Sequence, residues 1–266
     1  MRYLLWLLVP VLLLGCNAGA YKISKEEYRE RVRTLGVLPL MVDSNSAITH
    51  PERSRVIELL RRHNAGKEEE LIARLRQQKG YFDVREIAGD PQQLFSRLVS
   101  GTTLRGKGDS QYVRYHFNAA VAREITAANM VDGLLVVIMS GLERTETRRD
   151  RGPLLAYLEA PYNPVLAAAA VVLPSGEIAW EYAPTGGESF LHLQYPAFDE
   201  AFYNKTDEVQ IKFISVDGLE RTLAEPDRKL FGGKKVPRLY GELFDRLTGA
   251  MHPGLLNPLR SKESTQ

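Results

Sequence analysis

The chain has 266 residues, 44% of them hydrophobic and 26% charged, a balance typical of an ordinary globular protein of one large domain or two small ones. Its 35 basic and 33 acidic residues leave a formal charge of +2, too even to imply a nucleic-acid partner. No internal repeat or low-complexity tract interrupts it.

The first segment, MRYLLWLLVPVLLLGC, has a basic Arg2, an apolar run from Leu4 to Leu14 and small residues before a cleavable position, the three parts of a secretory signal peptide. The run has eleven residues and contains Pro10, whereas a spanning helix needs about 20. Its end, Leu13-Leu14-Gly15-Cys16, resembles the lipobox of bacterial lipoproteins, and Cys16 is the only cysteine in the chain. The resemblance implies cleavage before Cys16 and acylation of its sulfur and new amino terminus. An ordinary signal peptide cut near Ala18 or Ala20 would leave or remove an unpaired thiol, which is unusual in an exported protein. In lipoproteins Asp after the cysteine favours inner-membrane retention; Asn17 stands there, which by resemblance points to the outer membrane, with the protein facing the periplasm. Residues 1–15 are thus expected to be a leader. Residues 16–33, polar and charged, read as a tether or as a first helix packed on the domain.

An α/β domain is expected over 34–251. Leu35–Val42 is a strand with Pro39 at an end or edge. Thr49-His50-Pro51-Glu52 has capping-box spacing and predicts a helix start. Two apolar stripes flank Asn64-Ala65-Gly66, a break between helices, and Gly80 fits a C-terminal cap. Tyr81–Ile87 reads as a strand, and Asp90-Pro91 opens a short helix to about Val99. Ser100–Ser110, with three glycines, reads as a mobile loop, and Tyr112–Met130 as one helix. Leu134–Met139, six consecutive apolar residues, predicts a central strand covered on both faces. Arg144–Arg151 is a charged excursion. Val165–Leu173 and Glu177–Tyr182 form a hairpin, with the run Ala167–Ala170 leaving room for a close-packed helix. Pro237–Met251 is a helix docked on the sheet, and residues 252–266 form a loose tail. The segment Glu188–Lys235 has no clear pattern.

A strand reading GVLPL, a helix running into AANMVDGLLVV and a hairpin reading VVLPSGEIAWEY resemble the small α/β domain shared by several envelope lipoproteins. These include the curli-secretion lipoprotein, the lipoprotein activators of penicillin-binding proteins, a neisserial surface-antigen lipoprotein group and the amino-terminal domain of TolB. Gly176, Glu177 and Trp180 match that family's turn and core positions, and the likeness covers Leu35–Tyr182 plus the last helix. It implies a single α/β domain with a mixed sheet covered by helices, and motifs that fix a turn and a core rather than chemistry.

Enzymatic motifs are sparse. Histidines 50, 63, 116, 192 and 252 lie far apart, so no local zinc site is expected, and no nucleophile elbow, Walker loop or dinucleotide fingerprint occurs. Gly106-Lys107-Gly108 and Gly232-Gly233-Lys234-Lys235 lack phosphate-loop spacing. Glu188-Ser189 followed by His192 is a nucleophile and base only if a third group orients the histidine. Glu68-Glu69-Glu70 reads as a solvated helix face. Membrane-pore hairpins are excluded, because the alternation at Ser189–Tyr195 is too short and Arg144–Arg151 too charged. The sequence therefore predicts no catalytic residue, metal or cofactor. It points to a lipid-anchored protein that binds an envelope partner, with a hydrolase as the alternative. Arg148, Arg149 and Arg151 are the candidate contacts to an acidic partner or headgroup.

Overall fold

The structure is a computed structural model that describes residues 19–149, 157–184, 188–227 and 236–251. It is a single mixed α/β domain built on a seven-stranded sheet. The main sheet runs β1 (Gly19–Tyr21), β11 (Ile178–Tyr182), β10 (Val165–Val172), β7 (Gly133–Gly141), β2 (Thr34–Val37) and β4 (Asp83–Glu86), with β3 (Met41–Val42) also on β7. β7 pairs parallel with β2 and β3 and antiparallel with β10, from Leu134 opposite Val172 to Gly141 opposite Val165. β2 and β3 are the two halves of the expected Leu35–Val42 strand. They are interrupted at Pro39, whose missing N–H cannot join a ladder.

All nine residues of β7 are buried. Period-two alternation divides them: Leu135, Val137 and Met139 face one core, Leu134, Val136 and Ile138 the other. The first core is covered by α1 (Lys25–Arg31), α2 (Arg53–Asn64), α3 (Glu68–Gln77), α7 (Val216–Ala224) and α8 (Arg238–Met251). Trp180 lies in this core and is fully buried. The second core lies under α4 (Pro91–Leu98), α5 (Ala119–Asn129) and the hairpin of β5 (Val99–Arg105) with β6 (Tyr112–Phe117).

Local chemistry sets the element ends. Asp90 and Asn118 cap α4 and α5 by accepting two backbone N–H groups each. Gly66, at φ +72°, separates α2 from α3 as the sequence predicts, and Gly176, at φ +82°, turns the β10–β11 hairpin. α2 begins at Arg53 rather than in the Thr49–Glu52 box. Instead the His50 ring accepts the Glu52 N–H at Nδ1 (2.9 Å) and donates from Nε2 to the Ile214 carbonyl (2.9 Å).

Three expectations are corrected. Ser100–Ser110 is largely strand β5, whose pattern is hidden because most of its residues are exposed. Tyr112–Met130 is not one helix: Asn118 ends β6 and caps α5. The alanine run of β10 divides by face: Ala167 and Ala169 lie in the helix-covered core, whereas Val113, Tyr115 and Phe117 of β6, not a helix, lie over Ala168 and Ala170. Within the expected tether, β1 pairs with β11 and Tyr28 of α1 is buried, its hydroxyl 2.7 Å from that of Tyr81. The unplaced segment supplies β12 (Gln194–Pro196), α6 (Phe198–Tyr203), β13 (Ile211–Phe213) and α7. The leader, Cys16, Arg151, the Gly232–Lys235 loop and the tail lie outside the described residues. No described helix is long and apolar enough to cross a membrane.

The end of β7 is sterically closed. The Gly141 N–H donates to Ser46 Oγ (2.9 Å), and a Cβ on Gly141 would collide with the backbone of Ala47 and Ile48. Gly141→Ala is expected to cost about 1–3 kcal/mol. Urea unfolding checks this, against Gly249→Ala, where a Cβ meets nothing, as control.

Candidate functional site

Beyond Gly141 the chain leaves the sheet as β8 (Arg144–Arg149), which turns back as β9 (Tyr157–Tyr162) in an antiparallel hairpin. Alternation puts Arg144, Glu146 and Arg148 on one face of β8, and Thr145, Thr147 and Arg149 on the other. A bridge between Val165 and Leu191 brings residues 188–194 against the first face. Charges on an inward-facing strand surface then have to satisfy one another.

They do so around Glu146. Arg144, whose side chain is fully buried, donates from Nε to Glu146 Oε1 (2.9 Å), from Nη1 to the Asp109 carbonyl (2.8 Å), and from Nη2 to the Glu188 carbonyl and Ser189 Oγ (both 3.0 Å). Arg148 donates from Nη2 to Glu146 Oε2 (2.8 Å) and from Nη1 to the Gln194 carbonyl, and its guanidinium lies 3.7 Å from the centre of the Tyr162 ring. Ser189 Oγ lies 3.3 Å from Glu146 Oε1, and the Gln194 side chain accepts the Asn163 N–H at 2.9 Å. Burial alone would raise the Glu146 pKa, but the hydrogen bonds from Arg148 and Arg144 outweigh it and hold the carboxyl below its ordinary value.

His192 also joins the cluster. Arg148 Nη2 lies 3.0 Å from His192 Nδ1. A guanidinium only donates, so Nδ1 is the acceptor and the proton of the neutral ring is on Nε2. Crowding of the ring by protein, and next the Arg148 charge, lower the His192 pKa, which favours this neutral form.

This cluster closes one side of a groove of about 1600 Å³, bordered by Thr145–Arg149, by the stretch from Ser189 to Glu200, and by Arg238 and Glu242 at the start of α8. Ser189 and His192, paired in the sequence as a conditional nucleophile and base, therefore share one site, and Glu146 completes a Ser/His/carboxylate set. The connections are not those of a triad. Ser189 is held by Arg144 and Glu146, whereas the acceptor nitrogen of His192 already faces Arg148.

Of the three arginines singled out in the sequence, Arg148 and Arg149 lie on opposite faces of β8. Arg148 is bound to Glu146, while Arg149 is exposed on the opposite face of β8, 6.0 Å from the Tyr157 ring centre. Arg151 lies outside the described residues. Of Glu68–Glu70, Glu70 pairs with Arg74 at 3.0 Å, whereas Glu68 is buried and its pKa is raised by desolvation. Among the described residues no group of three or more His, Cys, Asp or Glu side chains could hold a metal ion. Glu146 and Gln194 were missed by the sequence reading. The signal was the alternation Arg-Thr-Glu-Thr-Arg, whose every-other-residue charges of opposite sign mark a strand face that neutralises itself.

Two variants test these electrostatics. Glu146→Ala strands two guanidinium groups and is expected to cost about 3–5 kcal/mol at pH 7. Because the folded pKa is lowered, the carboxylate stabilises above its ordinary value near 4.5, and this contribution is lost as pH falls through the lower folded value. The gap between wild type and variant in urea should therefore narrow in acid. For His192, also lowered, protonation opposes folding, so wild-type stability should fall as pH drops below about 6.5. His192→Gln should remove that part of the slope.

Compared with protein-family models, curated proteins and solved structures, the chain has no significant match, so the functional reading rests on its own residues.

Proposed function

We propose that the protein is a lipid-anchored lipoprotein on the periplasmic face of a bacterial outer membrane, and that it acts without catalysis by binding an envelope partner in the groove beside β8. The anchor rests on Leu13-Leu14-Gly15-Cys16 and on the solitary cysteine. Two acyl chains, at about 0.8 kcal/mol per buried methylene, would make release negligible. The likeness to envelope lipoprotein domains is supported by β2 lying beside β7, by the left-handed Gly176 turn and by the buried Trp180.

One observation carries the non-catalytic reading: the only acceptor nitrogen of neutral His192 is directed at Arg148 rather than at Ser189. A general base needs that lone pair within hydrogen-bond reach of the nucleophile. The convergence of Ser189, His192 and Glu146 in one groove favours the alternative, an anchored hydrolase. A fluorophosphonate probe separates the two: no labelling of Ser189 is expected, and labelling abolished by Ser189→Ala would establish the hydrolase.

The anchor has its own test. Wild type should fractionate with membranes, resist high-salt washing and carry acyl mass on Cys16, since acyl burial is not screened by ions. Cys16→Ser should accumulate as precursor or appear soluble in the periplasm. An unmodified Cys16, or a mature start beyond it, overturns the anchor. Crosslinking in intact cells, followed by identification of what co-purifies, should yield an envelope protein.

A further inference from the structure

Among the described residues, β8 is hydrogen-bonded along one edge only. It pairs with β9, and no backbone hydrogen bond links Thr145–Arg149 to a described residue outside that hairpin. Consecutive residues Thr145, Glu146, Thr147, Arg148 and Arg149 all border the groove. Successive strand residues point to opposite faces, so a cavity that meets all five meets the strand edge-on. The groove therefore runs along unpaired N–H and C=O groups, the template on which extended peptides add as a further strand. Five residues span about 17 Å.

Charge selects the occupant. In a chain of formal charge +2, the described residues border the groove with seven carboxylates and three guanidinium groups; with Arg144 held on Glu146 and Lys212 on Glu200, the local excess is two negative charges. Glu146 is neutralised by Arg144 and Arg148, and Glu225 and Glu242 share Arg238. Glu159 on β9 and Asp199 at the start of α6 have no charged partner among the described residues. Exposed Tyr195 borders the same groove, and exposed Tyr157 lies two residues from Glu159 on β9.

We infer that the groove binds an extended, basic peptide segment of the envelope partner, which adds as a third strand on the free edge of β8 and places Lys or Arg side chains against Glu159 and Asp199. This rests on the binding reading above and names the chemistry of the partner; it does not require the lipid anchor.

The test uses the full chain as purified from cells, in detergent if it fractionates with membranes, and a labelled peptide of about ten residues alternating Lys and Val, followed by fluorescence anisotropy at low and high salt. Saturable binding is expected, weakening with salt, falling about tenfold or more in the double variant Glu159→Lys/Asp199→Lys, and lost when alternate backbone nitrogens of the peptide are methylated. Both substituted positions are exposed, and circular dichroism confirms that the variant is folded. No binding, equal binding of a Glu-Val peptide, or undiminished binding of the methylated peptide overturns the inference. So does a concentration-dependent dimer that is lost when β8 is altered, since a second copy would then fill the edge. If the peptide fails to bind while crosslinking still recovers an envelope protein, the binding reading stands and only this partner chemistry falls.

Discussion

β7 is buried along its whole length, and both layers of the domain are organised by that burial. Alternate side chains of Gly133–Gly141 belong to different cores, so the strand satisfies its backbone through β2, β3 and β10 while its side chains join the helices of one face to the helices and hairpin of the other. A polar group introduced at any of these positions would have no water to turn to. Ser140 and Gly141 mark where this apolar demand ends: the Gly141 N–H is met by a serine hydroxyl, and the chain departs as β8.

The site exists because of that departure. A strand that leaves a sheet has lost its neighbours, and among the described residues β8 acquires one new one, β9. The inner face of β8 carries three charges that would be costly to bury singly, and the cluster persists because every lobe of the Glu146 carboxylate meets a guanidinium or a hydroxyl. Ser189 and His192 act as struts for the arginines, and the Arg148 guanidinium is sandwiched between Tyr162, Glu146 and the Gln194 carbonyl.

How much of this was visible in the sequence depends on which physical signal each part emits. Six consecutive apolar residues announce β7, since little but double burial explains them, and Pro-Ser-Gly between alternating runs announces the β10–β11 hairpin. Gly66 and Asp90 mark element ends by their own backbone and side-chain chemistry. β5 gave no such signal, because five of its seven residues are exposed and so free of any apolar pattern. β6, YVRYHF, was absorbed into the following helix; its true boundary is a single side chain, Asn118, accepting from Ala120 and Val121. The cluster around Glu146 was legible least of all. Its members come from β8, β9 and the 188–194 segment, and only the tertiary bridge between Val165 and Leu191 brings them together. Charge alternation reveals a face but not what lies opposite it.

The placement of β1 has a mechanical consequence. Three residue pairs, Gly19 with Tyr182, Ala20 with Glu181 and Tyr21 with Trp180, hold this strand on the outer edge of the sheet, helped by the Lys22–Glu181 ion pair and by the Tyr21 hydroxyl on the Met251 carbonyl. Any tension on the amino terminus is therefore delivered to one short seam. Pulled along the strand, its bonds share the load in shear; pulled away from the sheet, they peel one after another. In either direction the seam yields before the interior is strained, because β11 remains paired with β10 behind it. Release of Gly19–Tyr21 would pay out roughly 10 Å of slack, making the edge strand a fuse between whatever holds the amino terminus and a domain that stays folded.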